Sequence, residues 1–401
     1  QDIENIWKRT WQLACHEDEL KEIGDYVVYD VTRLSFIIVK SGEEEYKAFY
    51  NQCLHRGRQL ADHDGKSARH FRCSFHGWSW KLDGSLNEIP CQWDFPSIKA
   101  EDYNLPEIQV ARWGGFIFIN PDTEAEPLAD YLQDLADHFT LLPFERRYKA
   151  LHVAKVLRCN WKLAQEAFME AYHNFETQDS PNGGNTQYDI FGKYVSRFIH
   201  NIGNYSPESL SDYPGDKWRD PPLTENELLQ MLSIFGLDHD EVPAGETARS
   251  IAAEDLRRRI GKGLGVDLSA VSDCMMLDSI EYHLFPNMFF FPGITVPMVY
   301  RFRPNGDDVD SCIFDLMILE PLPEGAEHPE PPEPEKLSVE QSYTESEALS
   351  WLAPVYDEDT GNLDLQQQGF KTSRKPGITL GNYQESRIRR VHMTLDEFLQ
   401  E

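Results

Sequence analysis

Two short segments of this sequence each combine one cysteine with one histidine. In the first segment Cys53 lies two positions before His55, and in the second Cys73 lies three positions before His76. Residues 56–72 separate the two segments, and glycines follow both of them. Thiolate and imidazole groups are ligands for transition metals. The spacing therefore predicts two loops that together present two thiolates and two imidazoles to a metal centre.

Two kinds of metal centre are compatible with such a ligand set. A structural zinc ion would take all four side chains at one tetrahedral position, and its loops usually pair Cys with Cys and His with His. A [2Fe–2S] cluster of the Rieske type instead binds two Cys at one iron and two His at the other. Because each loop here mixes the two residue types, the pattern favours a Rieske cluster held by Cys53, His55, Cys73 and His76.

A second pair of candidate ligands occurs further along the chain. Residues 160–176 contain no Gly or Pro and are rich in Ala, Glu, Leu and Met, which predicts a helix. Glu170 and His173 are three positions apart in this segment and would share one helix face. Taken alone, such a pair is weak evidence for a metal site, because a solvated or salt-bridging pair is the more common explanation.

The surrounding sequence predicts the elements that position these side chains. Residues 1–40 are expected to form a helix (6–20) followed by strands, and residues 45–120 a set of short strands with turn signals at Asp-Gly and Gly-Gly pairs. From residue 151 onward helical and strand patterns mix. The later predictions are strands at 282–296 and 311–322, helices at 337–352 and 363–368, and a short terminal helix opened by a capping box at Thr394 and Glu397.

Composition and charge narrow the function classes. The 401 residues are 40% hydrophobic and 26% charged, as in globular proteins, and no apolar run could cross a bilayer. The net charge of −30 argues against nucleic acid or an anionic membrane as a partner. The seven cysteines are scattered, which disfavours a disulfide framework and favours metal binding. No signal peptide is visible, so a cytoplasmic location is expected.

These motifs together resemble those of a known family. The chain is similar to the catalytic α subunit of the Rieske non-haem iron ring-hydroxylating oxygenases, over essentially its whole length. The resemblance rests on the two Cys/His loops, on Asn160-Trp161-Lys162 leading to Glu170-Ala171-Tyr172-His173, and on residues 357–363, which read Asp-Glu-Asp-Thr-Gly-Asn-Leu. It implies an α+β fold with an all-β Rieske [2Fe–2S] domain and a helix-grip (START/Bet v1-like) catalytic domain built on an antiparallel sheet.

The resemblance also implies a domain division and a second metal. The expected domains are residues 1–40, a helix and strands that pack on the catalytic domain, then residues 41–145 for the Rieske domain and 146–401 for the catalytic domain. The catalytic domain of this family holds a mononuclear Fe(II) through two His and one carboxylate, leaving positions for O₂. By resemblance His173 is the first histidine and Asp359 the carboxylate, with Asp357 as the less favoured candidate.

The family places an acidic residue three positions before the first histidine, where this chain has Glu170. There it bridges the mononuclear site to a cluster histidine of a neighbouring subunit, for which His76 is the counterpart here. A bridge between subunits implies a homotrimer, or a trimer with an added small β subunit.

One position departs from the family pattern. The second histidine is expected about five residues after the first, and this chain has Gln178 there. Three explanations stay open. Gln178 could bind the iron weakly through its amide oxygen, another residue such as His283 could replace it, or the subunit could have lost its chemistry through natural or engineered change.

The resemblance implies an oxidoreductase, the terminal oxygenase component of a Rieske system. Electrons from NAD(P)H would arrive through a separate reductase, with or without a ferredoxin, and O₂ would hydroxylate an aromatic or other hydrophobic substrate, as in aromatic compound catabolism. The rival is a non-catalytic or impaired subunit that keeps the cluster without a competent mononuclear iron site. A Rieske ferredoxin is disfavoured by the large second domain. The expected pocket residues are Phe168, Met169, Phe175, His283, Phe289 and Phe291.

Overall fold

Contacts divide the chain into two units. In the computed structural model the first unit comprises Gln1–Tyr131, Arg303–Asp308 and Leu395–Glu401, and the second comprises Leu132–Phe302 and Val309–Thr394. The structure describes residues 1–141, 143–177, 184–203, 223–237, 239 and 241–400. No helix among these residues has both the length and the apolar character that a membrane span requires.

The first unit is built from strands. They are β1 (Gln12–His16), β2 (Tyr26–Val31), β3 (Leu34–Lys40), β4 (Tyr46–Tyr50), β5 (Phe71–Arg72), β6 (Ser79–Trp80), β7 (Leu86–Glu88), β8 (Glu107–Trp113) and β9 (Phe116–Asn120). Six of them form an antiparallel sheet in the order β1, β9, β8, β4, β3, β2. The run Phe36-Ile37-Ile38-Val39 is fully buried in β3, as expected for β-branched and aromatic residues in a central strand.

A smaller three-stranded sheet, β5-β6-β7, carries the second Cys/His segment. This segment forms the connection between β5 and β6, and the first segment follows β4 directly. Both cysteines belong to a buried cluster that includes Phe49, Trp78 and Trp80. The aromatic core of the first unit therefore anchors both loops.

Two predictions for the N-terminal region are wrong. Instead of a helix over 6–20, the chain forms a π-helical turn (Ile3–Trp7), strand β1 and a 3₁₀ turn (Glu17–Leu20). All five residues of β1 are buried, and such a continuous buried run cannot be distinguished from a buried helix by periodicity. The prediction that residues 1–40 form a separate segment on the catalytic domain is also wrong, because β2 and β3 are strands of the same sheet as β4 and β8. The first unit ends near Tyr131 rather than at residue 145.

The second unit combines one large sheet with most of the helices. Its strands are β10 (Arg147–Leu157), β11 (Gly184–Phe191), β12 (Val195–Ile202), β13 (Ser279–Leu284), β14 (Met288–Phe290), β15 (Met298–Asn305), β16 (Asp308–Pro321) and β17 (Glu335–Leu337). The helices of the chain are α1 (Leu128–Leu132), α2 (Trp161–Glu166), α3 (Asn174–Thr177), α4 (Glu225–Leu232), α5 (Ala248–Leu264), α6 (Asp273–Leu277), α7 (Ala353–Gly361), α8 (Leu363–Thr372) and α9 (Ser386–Gln400).

The large sheet has the strand order β11-β12-β13-β14-β15-β16-β10-β17. Its pairings are antiparallel from β11 to β15 and between β16 and β10, while the short edge strand β17 runs parallel to β10. Helices accompany this sheet, so the predicted α+β class is confirmed. The predicted elements at 311–322 and 363–368 are confirmed as β16 and α8.

The predicted helix over 160–176 is interrupted. It is helical only in α2 and α3, and the segment between them takes an irregular path. Contacts with other elements use the backbone groups that a continuous helix would need: Tyr188 Oη accepts the N–H of Ala171 at 3.1 Å, and Arg387 donates to the carbonyl of Met169 at 3.1 Å. Such competition for backbone hydrogen bonds ends a helix despite good intrinsic propensity.

Three further element predictions are wrong. Residues 282–296 form a hairpin of β13 and β14 instead of one strand, because Pro286 lacks the N–H that a continuing ladder requires. Residues 337–352 contain the end of β17 and two 3₁₀ turns instead of a helix. Thr394 lies inside α9, where its hydroxyl donates to the carbonyl of Lys193 at 3.0 Å rather than capping a new helix.

Candidate functional site

The two Cys/His loops share one backbone design. Cys53 N–H donates to Arg58 O and Cys73 N–H donates to Trp78 O, both at 2.8 Å. Four positions after each cysteine, the N–H of Gly57 or Gly77 donates back to the cysteine carbonyl at 2.9 Å. Both glycines have φ near +80°, a conformation that strains other residues. The loops are therefore equivalent backbone turns, although the histidine follows the cysteine by two positions in the first and by three in the second.

Backbone N–H groups surround the two sulfur atoms. Cys53 Sγ accepts from the N–H groups of His55 and Arg56, Cys73 Sγ accepts from those of Phe75 and His76, and the two thiols also contact each other. Burial raises the pKa of the Cys53 thiol. For Cys73 burial also acts to raise the pKa, but the two N–H groups, the Cys53 contact and the charge of Arg58 together outweigh burial and the pKa is lowered. Converging N–H donors are what a cluster with thiolate ligands requires.

The two imidazoles lie next to each other. The ring centroids of His55 and His76 are 4.7 Å apart, and His55 stacks on Trp78 at 5.0 Å with nearly parallel planes. Burial, followed by the charge of His76, lowers the pKa of His55, which favours the neutral ring that binds metal. His55 Nδ1 is buried and has no hydrogen-bond partner among the described residues.

This geometry fits a [2Fe–2S] cluster better than zinc. Nowhere in the described part of the chain do three or more His, Cys, Asp or Glu side chains converge as ligands of a single metal ion. A zinc site would need four such ligands at one point. A Rieske cluster needs only two protein ligands at each iron, which the paired thiols and paired imidazoles can supply, and the unpartnered Nδ1 of His55 fits a ligand atom.

The interrupted segment between α2 and α3 brings the second set of candidate ligands together. Glu170 Oε1 lies 2.8 Å from His173 Nδ1, and Glu170 Oε2 accepts the backbone N–H groups of Tyr172 and His173. Glu170 and His173 thus meet as predicted, although on a loop rather than on one face of a helix. Because Glu170 occupies Nδ1, the ring presents Nε2 to its surroundings, as in a metal-binding histidine.

Asp359 is the carboxylate that faces this histidine. Its Oδ1 lies 3.5 Å from His173 Nε2, and it is carried by α7. Asp357, two positions earlier on the same helix, points elsewhere. It accepts from the hydroxyl of Ser342 and from the N–H of Tyr343 at 3.0 Å. The structure therefore brings Asp359, and not Asp357, to His173.

The electrostatics of this pair suit a cation. Burial lowers the pKa of His173, but hydrogen bonds and charges from Asp359 and Glu170 outweigh burial and raise the pKa to about 10. Two carboxylates that flank one imidazole leave a local excess of negative charge. An imidazole nitrogen beside a carboxylate oxygen is also the donor combination of non-haem Fe(II) sites. The residues present thus fit a mononuclear iron, with two of its three expected protein ligands in place.

Gln178, at the position of the expected second histidine, lies outside the described residues. His283 is described and buried, and its ring packs against Phe289 at 4.6 Å. Two cavities border His173 and Asp359, and His283 lines neither of them. Within the described part of the chain, the geometry therefore does not favour His283 as a substitute ligand.

A cavity of about 340 Å³ opens beside His173 and Asp359. Of the predicted pocket residues, Phe168 and Phe291 line it, whereas Met169 and Phe289 are buried without lining it. The side chain of Phe175 lies outside the described part of the structure. A second cavity of about 490 Å³ reaches the same His173–Asp359 pair and is lined also by residues of α8 and of the following loop.

Sequence analysis missed a buried ion pair behind the site. Arg387 on α9 is fully buried and donates to Glu281 Oε1 at 2.9 Å, to the Met169 carbonyl and to Ser196 Oγ at 3.1 Å. Burial raises the pKa of Glu281 to about 8, although Arg387 opposes this shift. In the sequence, this ion pair is indicated only by a charged residue inside an apolar strand, Glu281, and by another on an amphipathic terminal helix, Arg387. Only the fold shows that the two side chains meet.

Two protein-family models match this chain. Residues 10–99 match the model of the Rieske [2Fe-2S] domain, and residues 237–401 match that of the ring-hydroxylating alpha subunit catalytic domain. The chain belongs to the Rieske ring-hydroxylating oxygenase α subunits. The predicted family is confirmed, and so are the two cofactors of a Rieske oxygenase, a [2Fe–2S] cluster and a mononuclear iron.

Rieske oxygenases with different substrates are similar to this chain in sequence. It is 33% identical over 180 residues to the biphenyl 2,3-dioxygenase subunit alpha of Rhodococcus jostii (strain RHA1), covering 43% of this chain and 39% of that protein. It is 30% identical over 172 residues to the carnitine monooxygenase oxygenase subunit of Escherichia coli (strain K12), covering 42% of this chain and 46% of that protein. These alignments thus span less than half of either relative.

Solved Rieske oxygenase structures share the fold over nearly the whole chain. Naphthalene 1,2-dioxygenase from Rhodococcus sp. bound to indole matches with a TM-score of 0.66 and 22% identity, covering 99% of this chain and 90% of that one. A quaternary ammonium Rieske monooxygenase in complex with gamma-butyrobetaine matches with a TM-score of 0.66 and 18% identity over the same shares. At these identities the likeness supports the fold alone.

Proposed function

We propose that this chain is the terminal oxygenase component of a Rieske system and hydroxylates an aromatic or other hydrophobic substrate. One observation carries the proposal: the His173–Asp359 pair lies in the wall of a cavity of about 340 Å³ with a largely apolar lining. A subunit without catalytic function would have no need to keep a substrate-sized cavity beside its iron ligands.

The proposal assigns a role to each candidate ligand. Cys53 and Cys73 hold one iron of the cluster and His55 and His76 the other, while His173 and Asp359 hold the mononuclear iron. When bound, these groups supply one-electron transfer and O₂ activation. Gln178 is the candidate for the remaining protein ligand.

The chain's own residues orient these ligands. Glu170 keeps the proton of His173 on Nδ1, through a contact of 2.8 Å, so that Nε2 stays available as a donor. Arg387 holds the Met169 carbonyl and so restrains the loop that carries both residues. Glu170 has a second role in this proposal, which is the predicted bridge to His76 of a neighbouring subunit.

Several finer points belong to the proposal. Relatives include both aromatic dioxygenases and a carnitine monooxygenase, and the apolar lining supports a hydrophobic substrate for this chain. We further propose a separate NAD(P)H reductase, with or without a ferredoxin, as the electron donor. A homotrimer, with or without a β subunit, and a cytoplasmic location complete the proposal.

Iron content and single turnover test this function together. We expect the anaerobically reconstituted protein to bind three iron atoms per chain and to show a Rieske EPR signal. After chemical reduction, O₂ should then convert an apolar aromatic probe such as naphthalene to a hydroxylated product in one turnover. Two iron atoms per chain, a normal Rieske signal and no product would contradict the proposal and favour the non-catalytic subunit.

Replacing Gln178 tests the departure from the family pattern. If the amide is the weak point of the iron site, Gln178→His should tighten Fe(II) binding about ten-fold or more, since imidazole is a better donor to Fe(II) than a carboxamide oxygen. The measurement is Fe(II) affinity of the iron-depleted mononuclear site by anaerobic titration, with Rieske absorbance as the internal control. Equal affinities in the two proteins would show that Gln178 does not weaken the site.

A further inference from the structure

One wall of the 340 Å³ cavity is formed by neighbouring strands, β12 and β13. Alternate residues of a strand face the same side, and Phe198, His200 and Ile202 of β12 all line the cavity. On β13 the lining residues are Ser279 and Glu281. The strand register pairs Phe198 with Glu281 and His200 with Ser279.

The register orders this wall relative to the iron ligands. His173 and Asp359 line the same cavity as this wall, and the charges of both act on Glu281. Glu281 is thus within electrostatic reach of both iron ligands. His200 and Ser279 lie one same-face step away, about 6.7 Å along the strand. That distance is on the scale of a small aromatic molecule.

The ring of His200 is held in one orientation. Its Nδ1 lies 2.8 Å from the hydroxyl of Thr186, which is paired with His200 on the neighbouring strand β11. Burial lowers the pKa of His200, which favours the neutral ring. The contact with Thr186 uses Nδ1, and His200 lines the cavity. A neutral ring held through Nδ1 offers Nε2 to a ligand, as a donor or an acceptor according to its tautomer.

The carboxylate of Glu281 is held in a similar way. Oε1 accepts from Arg387 at 2.9 Å behind the wall, and the residue also lines the cavity. Two strand positions thus place fixed polar groups on a cavity surface. The rest of that surface is largely apolar, with Ala167, Phe168, Ala171, Ile202, Met231, Leu232, Phe235, Phe291, Met298 and Val355 among the lining residues.

We propose that His200, with Ser279 beside it, is a specificity-determining subsite that binds a hydroxyl group of an aromatic substrate. This inference rests on the proposed function, and it narrows the substrate class from hydrophobic compounds in general to phenolic ones. A hydroxyl both donates and accepts, so it can pair with either tautomer of His200 and with the Ser279 hydroxyl. An unsubstituted hydrocarbon would leave these polar groups without a partner in a closed complex, which costs binding free energy.

Equilibrium dialysis with a matched pair of probes tests the subsite. The probes are 2-naphthol and naphthalene, which differ by one hydroxyl. The hydroxyl makes the transfer of 2-naphthol from water to an apolar site less favourable than that of naphthalene. Burial of apolar surface alone would therefore make naphthalene the tighter ligand. We expect the wild-type holoenzyme to bind 2-naphthol at least about ten-fold more tightly than naphthalene. His200→Leu removes both ring nitrogens and should bring the ratio of dissociation constants to one or below.

Two further variants isolate the effect. Ser279→Ala should reduce the ratio by a smaller factor, and it tests the same subsite if His200→Leu fails to fold. Ile199→Val is the matched control, since Ile199 is the preceding residue of β12 and faces the other side of the strand. It should leave the ratio unchanged. A wild-type ratio near one, or a preference for 2-naphthol that survives both subsite substitutions, would overturn the proposal.

Single-turnover product formation is measured in parallel with dialysis. Selective binding of 2-naphthol that depends on His200 would support the subsite even if neither probe were oxidised, in which case only the proposed function would fail. Oxidation of naphthalene by a protein without selectivity would overturn the subsite and leave the proposed function standing.

Discussion

Asp359→Ala should abolish stoichiometric binding of the mononuclear iron and leave the Rieske cluster intact. Asp359 Oδ1 lies 3.5 Å from His173 Nε2, and no other described carboxylate contacts this nitrogen. Removing an anionic ligand from a divalent cation should weaken Fe(II) binding by more than about 100-fold, or ~3 kcal/mol. The measurement is anaerobic Fe(II) titration of the iron-depleted site, with the EPR signal of the cluster as reference.

Asp357→Ala is the matched control for this experiment. It removes a carboxylate two positions away on the same helix, where Asp357 accepts hydrogen bonds from Ser342 and Tyr343. We expect a loss of about 1 kcal/mol or more in the free energy of unfolding, because these donors lose their partner. Iron affinity should stay unchanged. If Asp357→Ala instead lost the iron and Asp359→Ala kept it, the assignment of the carboxylate ligand would be reversed.

Glu170→Gln should keep the fold, the cluster and the iron, and lower the rate of single-turnover product formation by about 10- to 100-fold. Glu170 uses both oxygens, Oε1 for His173 Nδ1 and Oε2 for two backbone N–H groups. An amide has one acceptor oxygen, so Gln can accept only the hydrogen bonds made to one of these two oxygens, and it also loses the charge that supports the orientation of the ring. The measurement is rapid-quench product analysis after chemical reduction of the cluster.

Glu166→Gln provides the comparison for Glu170→Gln. Glu166 lies four residues earlier, on α2, and its Oε1 is 2.7 Å from His392 Nε2 on α9. The same change of charge at this position should alter the product rate by less than about two-fold, because the partner of Glu166 is His392 rather than an iron ligand. Equal rates for Glu170→Gln and the wild-type protein would remove the proposed role of Glu170.

The substitutions at Asp359 and Glu170 separate two functions of the site. Loss of iron with an intact cluster identifies a ligand, and loss of turnover with both metals present identifies a residue that orients a ligand or connects the two centres. Rieske absorbance and iron content, measured on the same samples, distinguish these outcomes directly.

Local spacing predicted most of the candidate ligands. Cys53, His55, Cys73 and His76 stand out because a cluster between two short loops requires ligands close together in sequence, and the positive φ of Gly57 and Gly77 is a local property as well. Asp359 lies far from His173 in sequence, so spacing alone could not pair them. The family resemblance supplied that pairing, and the contact at 3.5 Å agrees with it.

Element predictions were wrong where contacts with other elements outweighed local preference. The segment from 160 to 176 has helical propensity throughout, but contacts from Tyr188 and Arg387 take the backbone groups of its middle part. The run at β1 cannot be distinguished from a helix by periodicity because both its faces are buried, which removes the alternation that identifies a strand.

Residue types at short spacing were enough to predict the cluster loops, mixed helical and strand patterns predicted the α+β class, and the resemblance predicted the family. Which side chains share the cavity depends on the tertiary fold. His200, Ser279 and Glu281 become one wall through the register of β12 with β13, and Arg387 reaches Glu281 from α9. Their separation in sequence exceeds any local periodicity. Contacts of this kind follow from how strands and helices pack against one another, and not from the residues beside them.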